Sequence, residues 1–361
     1  MFYYFTHLRD LFFGFNIFKY ITFRAAMAAV TTFLFCMILG PAFIRYFHER
    51  KIRESAARED CPDLAGFHGT KEGTPTMGGV FIVTSIVISV LFWADLTNRY
   101  IILALLSCIY LAVLGGIDDY LSMLKRRHRG LRARTKFLWQ IALGCFIGAY
   151  IYNSPDISAQ IDIPFFKNEI LNLGLFYIPF VALVIVGTSN AVNLTDGLDG
   201  LAIGSVLIVS MTLAVLCYIT GHAGFSEYLF IPFVPGAGEL TVFCAAIVGA
   251  GLGFLWFNSH PATIFMGDTG ALALGGSIGA IAVFIKKEFL LLLLGGVFVL
   301  EAVSVILQVL SVRFRKKKLF KMSPLHHHLQ LCGWHESKII IRFWIIGIIL
   351  ALLTLITLKL R

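Results

Sequence analysis

Ten apolar runs divide this chain, at 25–44, 77–94, 101–117, 137–152, 173–189, 200–219, 240–257, 270–285, 289–311 and 339–358. Nothing else in the sequence constrains the fold as strongly. Inside a bilayer every backbone N–H and C=O needs an internal partner, and a helix of about 20 residues meets that need across the ~30 Å hydrocarbon layer. The expected fold is therefore all-α: a polytopic integral membrane protein with about ten transmembrane helices. The run 289–311 is long enough to be tilted or broken.

Composition agrees, with 58% hydrophobic and only 14% charged residues, against about 25% charged in soluble domains. Residues 1–23 hold ten aromatics interrupted by Arg9, Asp10 and Lys19. That is too charged for a signal-peptide core and reads as an interfacial helix that stays on the protein. The gaps between runs leave no room for a soluble domain, so residues 1–361 are expected to form one transmembrane unit. Seven cysteines are scattered singly without a CxxC pair, which argues against a disulfide framework or a zinc site.

Lysine and arginine set the expected orientation. Loops 45–76, 118–136, 190–199, 258–269 and 312–338 carry 20 of the 30 basic residues. The alternate loops and both termini carry nine, and Arg342 lies within the last run. The positive-inside rule makes the first set cytoplasmic and puts both termini outside. The net charge of +9 is then mostly a topology signal, and nucleic-acid binding has no other support.

Polar clusters fall on that same face, although topology was drawn from Lys and Arg alone. Asp118 and Asp119 end the third run. "NAVNLTDGLDG" joins the fifth and sixth, with Asn190, Asn193, Asp196 and Asp199 at intervals of three. In an α-helix or 3₁₀ turn that spacing gathers the four on one aspect of the chain. "NSHPATIFMGDTG" brings Asn258, His260 and Asp268 between the seventh and eighth runs, and "SPLHHHLQ" brings His326, His327 and His328 into the last cytoplasmic loop. "FHGTKEGTPTMGG" enters the second run from that side. The outer loops hold nothing comparable.

Carboxylates at membrane depth beside basic loops suit a divalent cation that receives phosphates. Mg²⁺ takes one or two carboxylates and leaves its other positions to water and phosphate oxygens. Phosphoryl transfer needs such a charge and a positioned base. The basic residues of 125–136 and 313–321 can hold phosphates by attraction, and "GTPTMGG" lets backbone N–H groups approach an anion. Simpler readings exist for each part. The Asp pair can be a helix end meeting water, Asp268 an ordinary N-cap, and the basic loops only orientation signals. Glu301, midway along the ninth run, is costly in lipid and is expected to face protein or a cavity. The pairs Gly249/Gly253 and Gly275/Gly279 have the spacing of close helix packing.

"GTPTMGG", "GIDDY", "NAVNLTDGLDGLA", "FMGDTGALALGG" and "PLHHHLQLCGW", in this order over ten runs, resemble the phospho-N-acetylmuramoyl-pentapeptide transferase family. The likeness covers essentially the whole chain. The Asp pair occurs across polyprenyl-phosphate sugar-phosphate transferases, while the triple histidine with "NLTDGLDG" points to the muropeptide branch. The resemblance implies a Mg²⁺-dependent transfer of phospho-MurNAc-pentapeptide from UDP-MurNAc-pentapeptide to undecaprenyl phosphate, giving lipid I and UMP. It also implies a bacterial inner-membrane location, a cytoplasmic active site and a homodimer.

Motif by motif, the resemblance makes Asp268 the principal metal ligand, with Asp118 and Asp119 serving metal and lipid phosphate. Asn190, Asn193, Leu194, Asp196, Asp199 and Phe265 fall to the nucleotide pocket. Lys71, Thr76, Lys136, Gln308, His326, His327 and His328 complete the phosphate and sugar surroundings, with His326 counted as catalytic. Two other readings remain. A related transferase would load another sugar phosphate, such as N-acetylglucosamine phosphate, onto the same lipid, and only the histidine loop argues against it. A secondary transporter would place ionisable groups at the bilayer midplane, where the chain offers only Glu301.

Overall fold

All ten runs fold as helix, one of them in two pieces, in the computed structural model, which describes residues 1–8, 10, 12–49, 74–124, 130–154, 159–163 and 170–359. In chain order the helices are α1 (Ile21–Glu49), α2 (Gly79–Trp93), α3 (Arg99–Leu124), α4 (Ala133–Asn153), α5 (Tyr177–Thr195), α6 (Leu201–Thr220), α7 (Ala223–Leu229), α8 (Leu240–Asn258), α9 (Gly267–Phe284), α10 (Glu288–Leu294), α11 (Gly296–Arg315), α12 (Leu325–Leu331) and α13 (Glu336–Thr357). Among the described residues, eight helices are long and apolar enough to cross a membrane. A short antiparallel hairpin, β1 (Gln160–Asp162) with β2 (Ile170–Asn172), follows α4.

The long ninth run is broken at Gly295, which separates α10 from α11. The second run is helical for only 15 residues, about 22 Å at 1.5 Å per residue. The chain before it pairs with the loop after α8. The Phe265 N–H donates to the Pro75 carbonyl, and the Gly78 and Gly79 N–H groups donate to the carbonyls of Phe265 and Met266, each at 2.8 Å.

α9 is the central element. Every residue from Thr269 to Phe284 is buried, because Gly, Ala and Ser dominate its sequence and let neighbouring backbones approach from all sides. The glycine pairs lie at such contacts. A Cβ at Gly249 would stand 2.1 Å from the Ala29 carbonyl oxygen, and one at Gly275 2.7 Å from that of Thr188. α11 and α13 instead show Leu, Ile, Val and Phe outward, including Phe314 and Leu352, as a lipid-facing surface requires.

The N-terminal stretch is two 3₁₀ helices, Phe2–Leu8 and Phe13–Lys19, in place of the one helix expected. Aromatics recur there every three residues and touch in tilted pairs at that interval, Phe2 with Phe5 and Phe15 with Phe18. The 3₁₀ geometry eclipses positions i and i+3. Phe2 also packs on Trp93, and the Met1 amino group donates to the carbonyls of Leu91 and Phe92.

Both chain ends lie at one end of the bundle. α2 runs from Gly79, against Gly270, to the Met1 contact, and Lys359 after α13 lies over the Tyr228 ring of α7. This terminal end holds more charge than its sequence advertised. Arg24 makes a two-pronged ion pair with Glu239, and Lys287 pairs with Asp162 of β1 at 2.5 Å. Lys286 donates to the Tyr177 hydroxyl at 2.8 Å, beside Glu288. All six charged groups are buried.

Candidate active site

The opposite end gathers the acidic residues. α3 continues past its apolar run to Leu124, so Asp118 and Asp119 ride on its last turns. α3 crosses the start of α9 backbone to backbone: a Cβ at Gly115 would lie 2.3 Å from the Asp268 carbonyl oxygen. Gly267, at φ +72°, makes the turn into α9 that an L side chain resists. Adjacent aspartates then take different partners. Asp119 caps α9 from outside, accepting from the Asp268 N–H and the Thr269 N–H, each at 3.0 Å, and from the Thr269 hydroxyl at 2.6 Å. A carboxylate there satisfies orphan amides and meets the positive end of the helix dipole.

Asp118 accepts from the Leu131 N–H at 2.5 Å. Its other oxygen shares the Lys136 ammonium with Asp268, at 2.8 and 2.6 Å. Asn193 lies beside Asp268. Carboxylate oxygens of Asp118, Asp119 and Asp268 lie within 4.8 Å of one another. Three carboxylates and one ammonium leave two negative charges if all four are ionised. An all-oxygen donor set of that charge fits a hard divalent cation such as Mg²⁺ and not a thiolate-seeking metal.

The stretch 190–200 does not keep its polar groups on one aspect. α5 ends at Thr195, and the groups fan outward from there. Asn190 donates to Gln140 of α4 at 2.8 Å, Asn193 lies on the side of Asp268, and Asp199 turns the other way. The Asp199 carboxylate meets His260 Nδ1 and the Ala262 N–H, each at 3.1 Å, while its own N–H donates to Glu336 at 2.9 Å. Leu194 and Asp196 are half-buried beside this turn.

The histidine loop folds as α12. His326 is fully buried. Its main-chain N–H donates to Glu301 of α11 at 3.2 Å, and Nδ1 lies 3.2 Å from the same carboxylate, too poorly aligned for a hydrogen bond. Glu301 therefore faces protein, as its cost in lipid demands. Nε2 points at Gly197, where a Cβ would come within 2.2 Å, so the loop needs glycine there. His327 pairs with Gln330 at 2.8 Å, and His328 Nδ1 accepts from the Lys321 N–H at 3.2 Å. Gln308 holds the 319–320 turn by three hydrogen bonds to its backbone. Thr76 and Phe265 lie in the paired segments before α2 and α9. Lys71 lies outside the described residues.

Sequence reasoning assigned no role to Gln140 or Glu336, which anchor Asn190 and Asp199. Gln140, a lone amide in an apolar run, carried a signal; Glu336, an acid in a helix first turn, looks like ordinary dipole matching.

Known proteins resemble this chain along its length. A model of glycosyl transferase family 4 matches residues 100–286, and phospho-N-acetylmuramoyl-pentapeptide-transferase signature 1 matches residues 71–83. The chain is 53% identical over 347 residues, 96% of each chain, to the phospho-N-acetylmuramoyl-pentapeptide-transferase of Pelobacter propionicus. The protein of that name from Thermodesulfovibrio yellowstonii is 50% identical over 357 residues, 98% of each chain. The one from Desulforapulum autotrophicum is 51% identical over 348 residues, 96% of each chain. With the motifs in order and the match running the length of the chain, this protein belongs to the phospho-N-acetylmuramoyl-pentapeptide transferase family of membrane phospho-sugar transferases.

Proposed function

We propose that this chain moves phospho-MurNAc-pentapeptide from its UDP carrier to undecaprenyl phosphate, using Mg²⁺ at Asp268 and Asp118, on the cytoplasmic face of the bacterial inner membrane. The observation that carries this reading is the convergence of three carboxylates and Lys136 at the start of α9. A lipid phosphate reaches such a place from within the bilayer while a soluble nucleotide sugar arrives from water. One P–O bond to UMP breaks and one to the lipid phosphate forms.

A bound Mg²⁺ supplies neutralisation of the charge on the transferring phosphoryl oxygens. Asp268 and Asp118 would hold the cation through their carboxylate oxygens, which lie within 4.8 Å of one another. Asp119 acts one step back, because its hydrogen bonds to residues 268 and 269 hold the start of α9 in place. The Lys136 ammonium, now shared by two carboxylates, is positioned to take a phosphate oxygen. His326 Nε2, beside Gly197, supplies a second donor. Leu194, Asp196 and Phe265 offer the half-buried surface for uracil and ribose.

Purified protein incubated with UDP-MurNAc-pentapeptide, undecaprenyl phosphate and Mg²⁺ should release UMP and form lipid I. UDP-N-acetylglucosamine in its place should give no lipid product; the reverse preference would replace this substrate with the other sugar. The orientation has its own test. Cysteines introduced at 153–171 should react with impermeant thiol reagents in intact cells, and those at 125–134 only after permeabilisation.

A further inference from the structure

Outside the aspartate triad, a second His–carboxylate group joins three segments far apart in sequence: Asp199 after α5, His260 after α8 and Glu336 at the start of α13. Their ligand atoms lie within 4.8 Å of one another, and Asp199 is 4% exposed. An ionised carboxylate only accepts hydrogen bonds, so at 3.1 Å the proton on His260 Nδ1 points to Asp199. The Ala262 N–H donates to that same oxygen. Glu336 grips the other part of the residue, accepting the Asp199 N–H at 2.9 Å, and its second oxygen lies 3.8 Å from His260 Nδ1. The His335 ring stands edge-on to His260 at 6.0 Å. One residue further, the Gly200 N–H donates to Asn258 at 2.9 Å. The turn 196–200 is thus held at consecutive residues by two other segments.

We propose that His260 and Glu336 are positioning residues for nucleotide recognition: by clamping Asp199 through side chain and backbone, they set where the 194–200 turn meets the nucleotide. The inference rests on the nucleotide role given above to that turn. It follows from the geometry that the clamp acts on substrate affinity and not on the phosphoryl step, because its contacts run to the turn and none runs to Asp118, Asp119, Asp268 or Lys136 among the described hydrogen bonds. The start of α13 becomes part of the nucleotide site without touching the reacting atoms.

The Asn side-chain nitrogen stands nearly where His Nδ1 does, so His260→Asn keeps the donor and His260→Ala removes it. Glu336→Gln keeps the acceptor and Glu336→Ala removes it. UMP binding by calorimetry, the KM for each substrate, kcat and the Mg²⁺ concentration at half-maximal rate are measured on the full chain in detergent. Expected for both alanine variants are a UMP Kd and a nucleotide-sugar KM raised about tenfold, as losing one charge-assisted hydrogen bond predicts. kcat, the lipid KM and the Mg²⁺ requirement should stay within twofold, and His260→Asn and Glu336→Gln should lie within threefold of the parent.

The inference alone is overturned by alanine variants that bind UMP like the parent, or by conservative variants as impaired as the alanines. An equal shift in lipid KM and Mg²⁺ requirement also overturns it, because a general loosening of the fold would do that. A parent that binds no UMP and turns over no nucleotide sugar overturns the nucleotide reading itself, and this inference with it. Should His260→Ala fail to fold, Glu336→Ala and the two conservative variants decide by the same criteria.

Discussion

The two ends of the bundle use charge in opposite ways. At the terminal end, Arg24, Lys286 and Lys287 face Glu239, Asp162 and Glu288, cation for anion and all buried. At the site end, among the described residues, Asp118, Asp119 and Asp268 face one cation, Lys136, and the side chains of Lys136 and Asp268 are each 22% exposed. Desolvated charge survives in a membrane protein only when matched nearby. The balanced groups are therefore struts, complete in themselves. Among the described residues the site group is partly exposed and carries more negative than positive charge, as a cation site does. Counting charge by cluster separates structural from functional polar residues in a protein where both are costly.

Breaking each kind of cluster should fail differently. Asp268→Asn keeps the shape and removes one charge from the unbalanced group. Turnover is expected to fall about 10⁴-fold, ~5 kcal/mol in the barrier, at unchanged folded yield, and any remaining rate should need far more Mg²⁺. A rate-against-Mg²⁺ curve like the parent's would remove Asp268 from the metal site. Arg24→Met breaks a balanced pair and strands Glu239. Stability should drop by about 3–5 kcal/mol, read as a lower unfolding midpoint in detergent, while folded molecules keep the parent's KM and Mg²⁺ requirement.

His326 sharpens the comparison because it is buried like a strut yet borders the site. His326→Ala is expected to cost about 10²-fold in turnover, ~2.7 kcal/mol, with the folded yield retained. Turnover within a few-fold of the parent would make it a strut only. The smallest effect is expected from replacing a whole balanced pair. Arg24→Met with Glu239→Leu should lie within about 1 kcal/mol of the parent, since apolar residues of similar volume often replace a buried pair at little cost. A double variant as unstable as Arg24→Met alone would show that the pair does more than neutralise itself, for example through the Asp95 N–H that Glu239 also accepts at 2.7 Å.

Much of the site end was legible because its groups cluster within short motifs. Asp118 and Asp119 are adjacent, and the 190–199 and 326–328 stretches are compact. Their division of labour was not. Which aspartate caps α9 depends on where α3 crosses it at Gly115, a property of packing and not of the motif. The terminal-end struts were invisible for a related reason: Arg24 and Glu239 are 215 residues apart, and each looks like an isolated charge near a helix end. Likewise Glu301 was recognisable as needing a partner, but its partner is 25 residues on. Hydropathy located the helices well, and missed the 3₁₀ folding of Phe2–Leu8 and Phe13–Lys19 because aromatics at intervals of three serve an amphipathic α-helix nearly as well.

The packing of α9 bears on how the protein meets membranes of differing thickness. Helices in contact with lipid respond to mismatch by tilting or by exposing flanking residues. α11 and α13 can do so, because their outward faces are plain aliphatic surface. α9 touches neighbours on every side, with main chains so close at Gly79, Gly115 and Gly275 that no side-chain layer is left to compress. A thicker or thinner bilayer then strains the periphery while the helix bearing Asp268 stays still. The geometry proposed for transfer at Asp268 thus sits on the most buried of the candidate spanning helices, the one with least surface left for lipid.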